Sequence, residues 1–113
     1  MDEKEKVLGT AMELIAGAGD SRCYCMDAIE SAKQGKFQEA KTCIQNAVQA
    51  MVQTHEIQTE LIRAEMEGNP LALSLLMVHA QDHLNLALIM RDIAEEFIVV
   101  YERLKELEDK ESC

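Results

Sequence analysis

The stretch Leu75-Leu76-Met77-Val78-His79-Ala80-Gln81-Asp82-His83-Leu84-Asn85-Leu86-Ala87-Leu88-Ile89-Met90 decides the fold. Apolar residues return in it every three or four positions, the repeat of a helix that hides one face. Extended in both directions, the row reads Ala72, Leu76, His79, His83, Leu86, Met90, Ile93, Phe97, Val100, Leu104 and Leu107. After Pro70 no Gly or Pro interrupts it, so the spacing predicts one helix over 70–110.

Two breaks lie upstream. Gly68-Asn69-Pro70 is a strong stop, with Gly to end one helix and Pro to open the next, and Gly35 separates two further helical patterns. The remaining helices therefore span about 3–33 and 37–67. The first carries Leu8, Ala11, Ile15, Ala18, Arg22, Cys25, Ile29 and Ala32 in the same rhythm. The second carries Phe37, Ala40, Ile44, Ala47, Met51, Thr54, Gln58 and Leu61. Gly17 and Gly19 weaken the middle of the first helix and mark a bend or a close helix contact. Arg22 calls for an acid, with Asp20 and Asp27 near at hand. Short connections make neighbouring helices antiparallel, so the expected fold is all-α, one antiparallel three-helix bundle over 1–113.

The composition agrees. Aromatic residues make up 4% and there is no Trp, which excludes a sandwich or barrel. Eleven basic against twenty-one acidic residues leave a formal charge of −10, which repels phosphate backbones and anionic lipid. Nucleic-acid and membrane-surface binding are excluded on that ground, and a basic protein partner is favoured. Charge interrupts every apolar run, so neither a secretory signal nor a membrane span is expected. Cys23, Cys25, Cys43 and Cys113 contain no Cys-x-x-Cys pair, and they read as reduced thiols of a cytoplasmic protein.

The third helix holds more apolar surface than one seam can use: Leu73, Leu75, Val78, Leu88, Ile89, Ile98 and Val99 lie off the row. A second apolar stripe needs a second partner, so the chain is expected to self-associate. Polar residues interrupt both stripes. His79 and His83 are four apart and share a helix face, and Asp82 falls one heptad after Leu75 and one before Ile89. Three readings fit this spacing. The groups can be satisfied polar residues that fix register. They can hold a structural metal at His79, Asp82 and His83, although zinc would need further ligands that the sequence does not supply. Or the imidazole can be a nucleophile that carries a phosphoryl group. His55 reads as a surface or boundary histidine, and the tail from Glu102 to Glu111 as a solvated helix end.

The string Met77-Val78-His79-Ala80-Gln81-Asp82-His83-Leu84 closely resembles the active-site segment of enzyme IIA of the lactose/cellobiose class of the phosphoenolpyruvate-dependent sugar phosphotransferase system. Ala16-Gly17-Ala18-Gly19-Asp20-Ser21-Arg22 is similar to that family's first helix. Gln34-Gly35-Lys36-Phe37 with Ala40 resembles its first turn, and His55-Glu56-Ile57-Gln58-Thr59 the middle of its second helix. The Val-His-Ala-Gln wording is nearer the cellobiose or chitobiose branch than the lactose branch; Asn85 departs from the Met often found there.

The resemblance implies a homotrimer of nine helices and a phosphocarrier role. His79 would accept a phosphoryl group from phospho-HPr and pass it to a cysteine of the cognate enzyme IIB, during uptake of a β-linked disaccharide whose choice lies with the membrane subunit. Gln81 and His83 would neighbour the phosphoryl group. Asp82 would lie on the trimer axis, where a divalent cation such as Mg²⁺ offsets the repulsion of three copies. HPr docks through an apolar surface bordered by basic residues, which suits an acidic chain with Leu75, Leu76 and Leu86 near His79. The rival expectation is a non-catalytic helical interaction module whose histidines only bind metal.

Overall fold

The computed structural model describes residues 2–112, so Cys113 lies outside the described residues. Three helices follow one another: α1 (Glu3–Lys33), α2 (Phe37–Met66) and α3 (Leu75–Ser112). Together they form a rod of 67 × 22 × 20 Å. No helix among the described residues is long and apolar enough to cross a membrane.

The boundaries follow from local chemistry. Asp2 caps α1, its side-chain Oδ1 accepting from the Glu5 amide at 2.8 Å. Both inner breaks are left-handed glycine caps, Gly35 at φ 79° and Gly68 at φ 84°. Lys36 N donates to Ser31 O and Gly35 N to Ala32 O; Asn69 and Gly68 repeat the pattern on Ala64 and Glu65. Only glycine adopts this backbone without strain.

The start of α3 differs from the sequence expectation. Pro70 does not open the helix; the chain stays irregular through Ser74, and α3 begins at Leu75. Ser74 is the cap, its Oγ accepting from Met77 N at 3.1 Å while its carbonyl accepts from Val78 N. A hydroxyl that satisfies a free amide outweighs the favourable φ of proline.

α1 is the central element, packed along both partners, whereas α2 and α3 touch each other little. The core is rich in alanine: Ala11, Ala18, Ala28, Ala32, Ala40, Ala47, Ala80, Ala87 and Ala94 are all buried. Small side chains let helix backbones approach closely. The tightest point is Gly17, where a Cβ would fall 1.8 Å from Thr54 Oγ1; Gly19 has nothing within 4 Å. Of the two sequence alternatives, close approach therefore applies at Gly17, and α1 runs on without a break. Ser21 Oγ, buried in the same interface, donates to Ala47 O at 2.9 Å.

Two expected seams shift. In α1 the buried row is Val7, Ala11, Leu14, Ala18, Ser21, Cys25, Ala28 and Ala32, so Leu8 and Arg22 are exposed. Arg22 makes no ion pair among the described residues, and the acid expected for it is not there. In α3 the buried row is Met77, Ala80, Leu84, Ala87, Ala94 and Ile98, one position along from the expected row. The large residues Leu86, Ile93, Phe97, Val100, Leu104 and Leu107 consequently face outward. Side-chain size suggested that they fill the core, but the bundle is too tight for them and takes the alanines.

Candidate functional site

The shift in α3 brings His79 and His83 out of the core. His79 is exposed and His83 half-buried, in the second and third turns of the helix. Their spacing of four stacks one ring over the other. The Nε2 atoms are 3.0 Å apart, and the rings meet edge to face with centroids 4.5 Å apart and an interplanar angle of 84°. One ring must donate and the other accept, so the pair holds one shared N–H and one engaged lone pair.

Asp82 is exposed and makes no ion pair among the described residues. It lies within an outward apolar stripe, with Leu75 before it (86% exposed) and Leu86, Ile89 and Ile93 after it. Among the described residues no group of three or more His, Cys, Asp or Glu side chains converges to hold a metal ion. A structural metal centre built from His79, Asp82 and His83 of one subunit therefore has no support in the geometry.

Gln81 does not join the histidines. Residues two apart on a helix point about 160° apart, and Gln81 turns toward α2. Its Oε1 accepts from Gln58 Nε2 at 2.8 Å, and its Nε2 reaches only the Met77 sulfur at 3.7 Å. Both amides line a cavity of about 230 Å³ between α2 and the start of α3, with Leu61, Leu71 and Met77. The sequence singled out the segment that contains Gln58 without assigning that residue a role; a second glutamine at matching height on the neighbouring helix is the missing signal.

On the other flank, α1 presents Leu8 and Met12, more than half exposed. Val7 and Leu8 share an apolar groove of about 500 Å³ with Leu73, Ser74 and Leu76, one turn from His79. Arg91 is remote from the histidines. It lies half-buried, its Nη2 donating to Asp92. His55 is exposed on α2, as expected.

An exposed histidine pair on the second and third turns of a long helix, in an acidic three-helix rod, is matched by one family model across residues 9–102: PTS system, Lactose/Cellobiose specific IIA subunit. The chain belongs to this family of IIA subunits. It is 39% identical over 105 residues to the lichenan-specific phosphotransferase enzyme IIA component of Bacillus subtilis, covering 93% of each chain. It superposes on the crystal structure of the cellobiose-specific enzyme IIA of Bacillus anthracis with a TM-score of 0.86 and 38% identity, over 88% of this chain and 92% of that one. The IIA(chitobiose) solution structure, solved in complex with HPr from the Escherichia coli phosphotransferase system, matches at a TM-score of 0.75 and 32% identity, over 93% and 98%. Membership of the IIA family and the three-helix fold thus agree with the sequence expectation.

Proposed function

We propose that this IIA subunit is a cytoplasmic phosphocarrier acting through His79 in the uptake of a cellobiose- or chitobiose-like disaccharide. The observation that carries the reading is the exposed His79–His83 pair, with Nε2 atoms 3.0 Å apart. In the accepting step a P–N bond forms to a ring nitrogen of His79 as the bond from phosphorus to its donor on HPr breaks. In the donating step that P–N bond breaks and a P–S bond forms to the cysteine thiolate of enzyme IIB. His83 holds the His79 ring in place and, with its own N–H, donates to a phosphoryl oxygen once the group has arrived. No arginine lies close in sequence to clamp the phosphate, which favours its release.

HPr is acidic-surface-seeking in this reading and docks on the flank that carries Leu8, Met12 and Leu76, one turn from His79. Leu75 and Leu86, which the sequence places near His79, lie on the outward stripe of α3 with Asp82. That stripe fits a threefold assembly: three parallel α3 helices bury Ile89, Ile93, Val100 and Leu107 and bring three Asp82 carboxylates to the axis. Carboxylate oxygens alone make a hard donor set, which suits Mg²⁺. The cation would offset axial repulsion and takes no part in transfer. In such a ring, the side of α3 that carries His79 on one copy faces the side that carries Gln81 on the next. Gln81 then neighbours the phosphoryl group of an adjacent copy, not of its own.

The test is phosphorylation with phosphoenolpyruvate, enzyme I and HPr, then addition of enzyme IIB. Wild type should accept one phosphoryl group and lose it to IIB. His79→Ala should keep its helicity and accept none. A wild type that stays unmodified beside charged HPr contradicts the reading.

A further inference from the structure

α2 and α3 meet sparsely, and near the histidine end a cavity of about 230 Å³ separates them. Spanning that gap is the hydrogen bond from Gln58 Nε2 to Gln81 Oε1, 2.8 Å long between two half-buried side chains. A primary amide has a donor end and an acceptor end, and its orientation is set by whichever end is engaged first. Here the acceptor end of Gln81 is taken. Its NH₂ end is left with one contact, the Met77 thioether at 3.7 Å, a weak acceptor. Gln81 thus presents an underused donor in a fixed orientation, the property a phosphoryl oxygen requires.

We infer that Gln58 is a positioning residue for phosphoryl transfer: by donating to Gln81 Oε1 it aims the Gln81 NH₂ at the phosphoryl group on His79 of an adjacent copy. The inference rests on the phosphocarrier reading and its threefold arrangement. In this reading Gln58 acts through Gln81, the side chain it hydrogen-bonds.

The experiment measures single-turnover transfer from phospho-HPr for wild type, Gln58→Met, Gln58→Glu, Gln81→Leu and both double variants, with helicity and assembly mass recorded for each. Gln58→Met is unbranched and nearly isosteric, so it frees the Gln81 amide without refilling the cavity. Gln58→Glu offers only acceptors when ionised and so turns the NH₂ of Gln81 toward itself, leaving a carbonyl toward the phosphoryl group. The maximal rate should fall about tenfold for Gln58→Glu and less for Gln58→Met, with the KM for phospho-HPr unchanged. In the Gln81→Leu background neither substitution should slow transfer further, by the logic of a double-mutant cycle. Equal slowing in that background, an effect confined to KM, or unchanged rates would overturn the inference while leaving the carrier intact. A wild type that accepts no phosphoryl group would overturn both together.

Discussion

In the proposed carrier, His79 and His83 would divide the work between a nitrogen that bonds to phosphorus and an N–H that steadies it. Their 3.0 Å contact fixes the ring of His79 before any partner arrives, so little orientation is lost on encounter. His83→Ala should therefore still accept a phosphoryl group but transfer it about tenfold more slowly, the loss of one charge-assisted hydrogen bond. Stopped-flow transfer from phospho-HPr measures this, and an unchanged rate would remove His83 from the site. The thiols allow a separate check. Burial pushes the Cys25 thiol above its ordinary value of 9.0, with the Arg91 guanidinium offsetting part of the rise and Glu95 adding to it. Burial, with Asp27 and Glu39, raises Cys43 as well, against a lowering hydrogen bond from Ser31. Below about pH 9 both folded and unfolded chains hold these protons. Above it the unfolded chain releases them first, so stability should fall as pH rises past 9 in urea titrations. Alkylation at neutral pH should reach the exposed Cys23 and spare Cys25 until the chain unfolds.

Among the elements, the α1–α2 contact is set by one missing Cβ. Gly17→Ala would drive a methyl into Thr54 and should destabilise the bundle by about 1–3 kcal/mol. Gly19→Ala, with open space around it, should instead stabilise by up to ~1 kcal/mol through helix propensity. Thermal melts of the pair settle both signs, and the opposite order would mean that α1 does not pack as described. The helices and their glycine ends were readable because period and punctuation are local properties. What was not readable is which apolar row each helix buries. In α2 the row holding Ala40, Ala47, Met51 and Thr54 stood alone and was found. In α3 two rows competed, and the larger side chains of Leu86, Ile93 and Phe97 outweighed Ala80, Ala87 and Ala94, although the tight core accepts only the small set. That choice depends on the helix spacing that α1 imposes, a tertiary quantity with no local signature. For the same reason the spacing pairs His79 and His83 but places them in a seam; the resemblance sets Gln81 beside the phosphoryl group, whereas within one chain its amide faces α2.

For the whole molecule, the displaced row becomes the outward stripe through which copies can meet. A rod 67 Å long and only about 20 Å across has little volume for a core of its own, and in the proposed trimer the stripe would extend burial along its length. Asp82, exposed, interrupts the outward stripe of Leu75, Leu86 and Ile89. In the proposed trimer, Asp82→Leu should tighten assembly by removing mutual repulsion at the axis, seen in sedimentation as a trimer that persists at lower protein concentration. Looser assembly would show instead that the carboxylates are needed as ligands, and added Mg²⁺ would then matter for wild type alone. The formal charge of −10 should act on encounter more than on residence, so salt should slow association with HPr more than it speeds dissociation.

The most direct test is to locate the phosphoryl group itself. The chain would be charged through phosphoenolpyruvate, enzyme I and HPr, digested under alkaline conditions, and its peptides fragmented by electron transfer. A carrier acting through His79 should show a single acid-labile phosphoryl group on His79, none on His83 or His55, and its disappearance when enzyme IIB is added. A phosphoryl group on either other histidine, or an uncharged chain beside fully charged HPr, would contradict it.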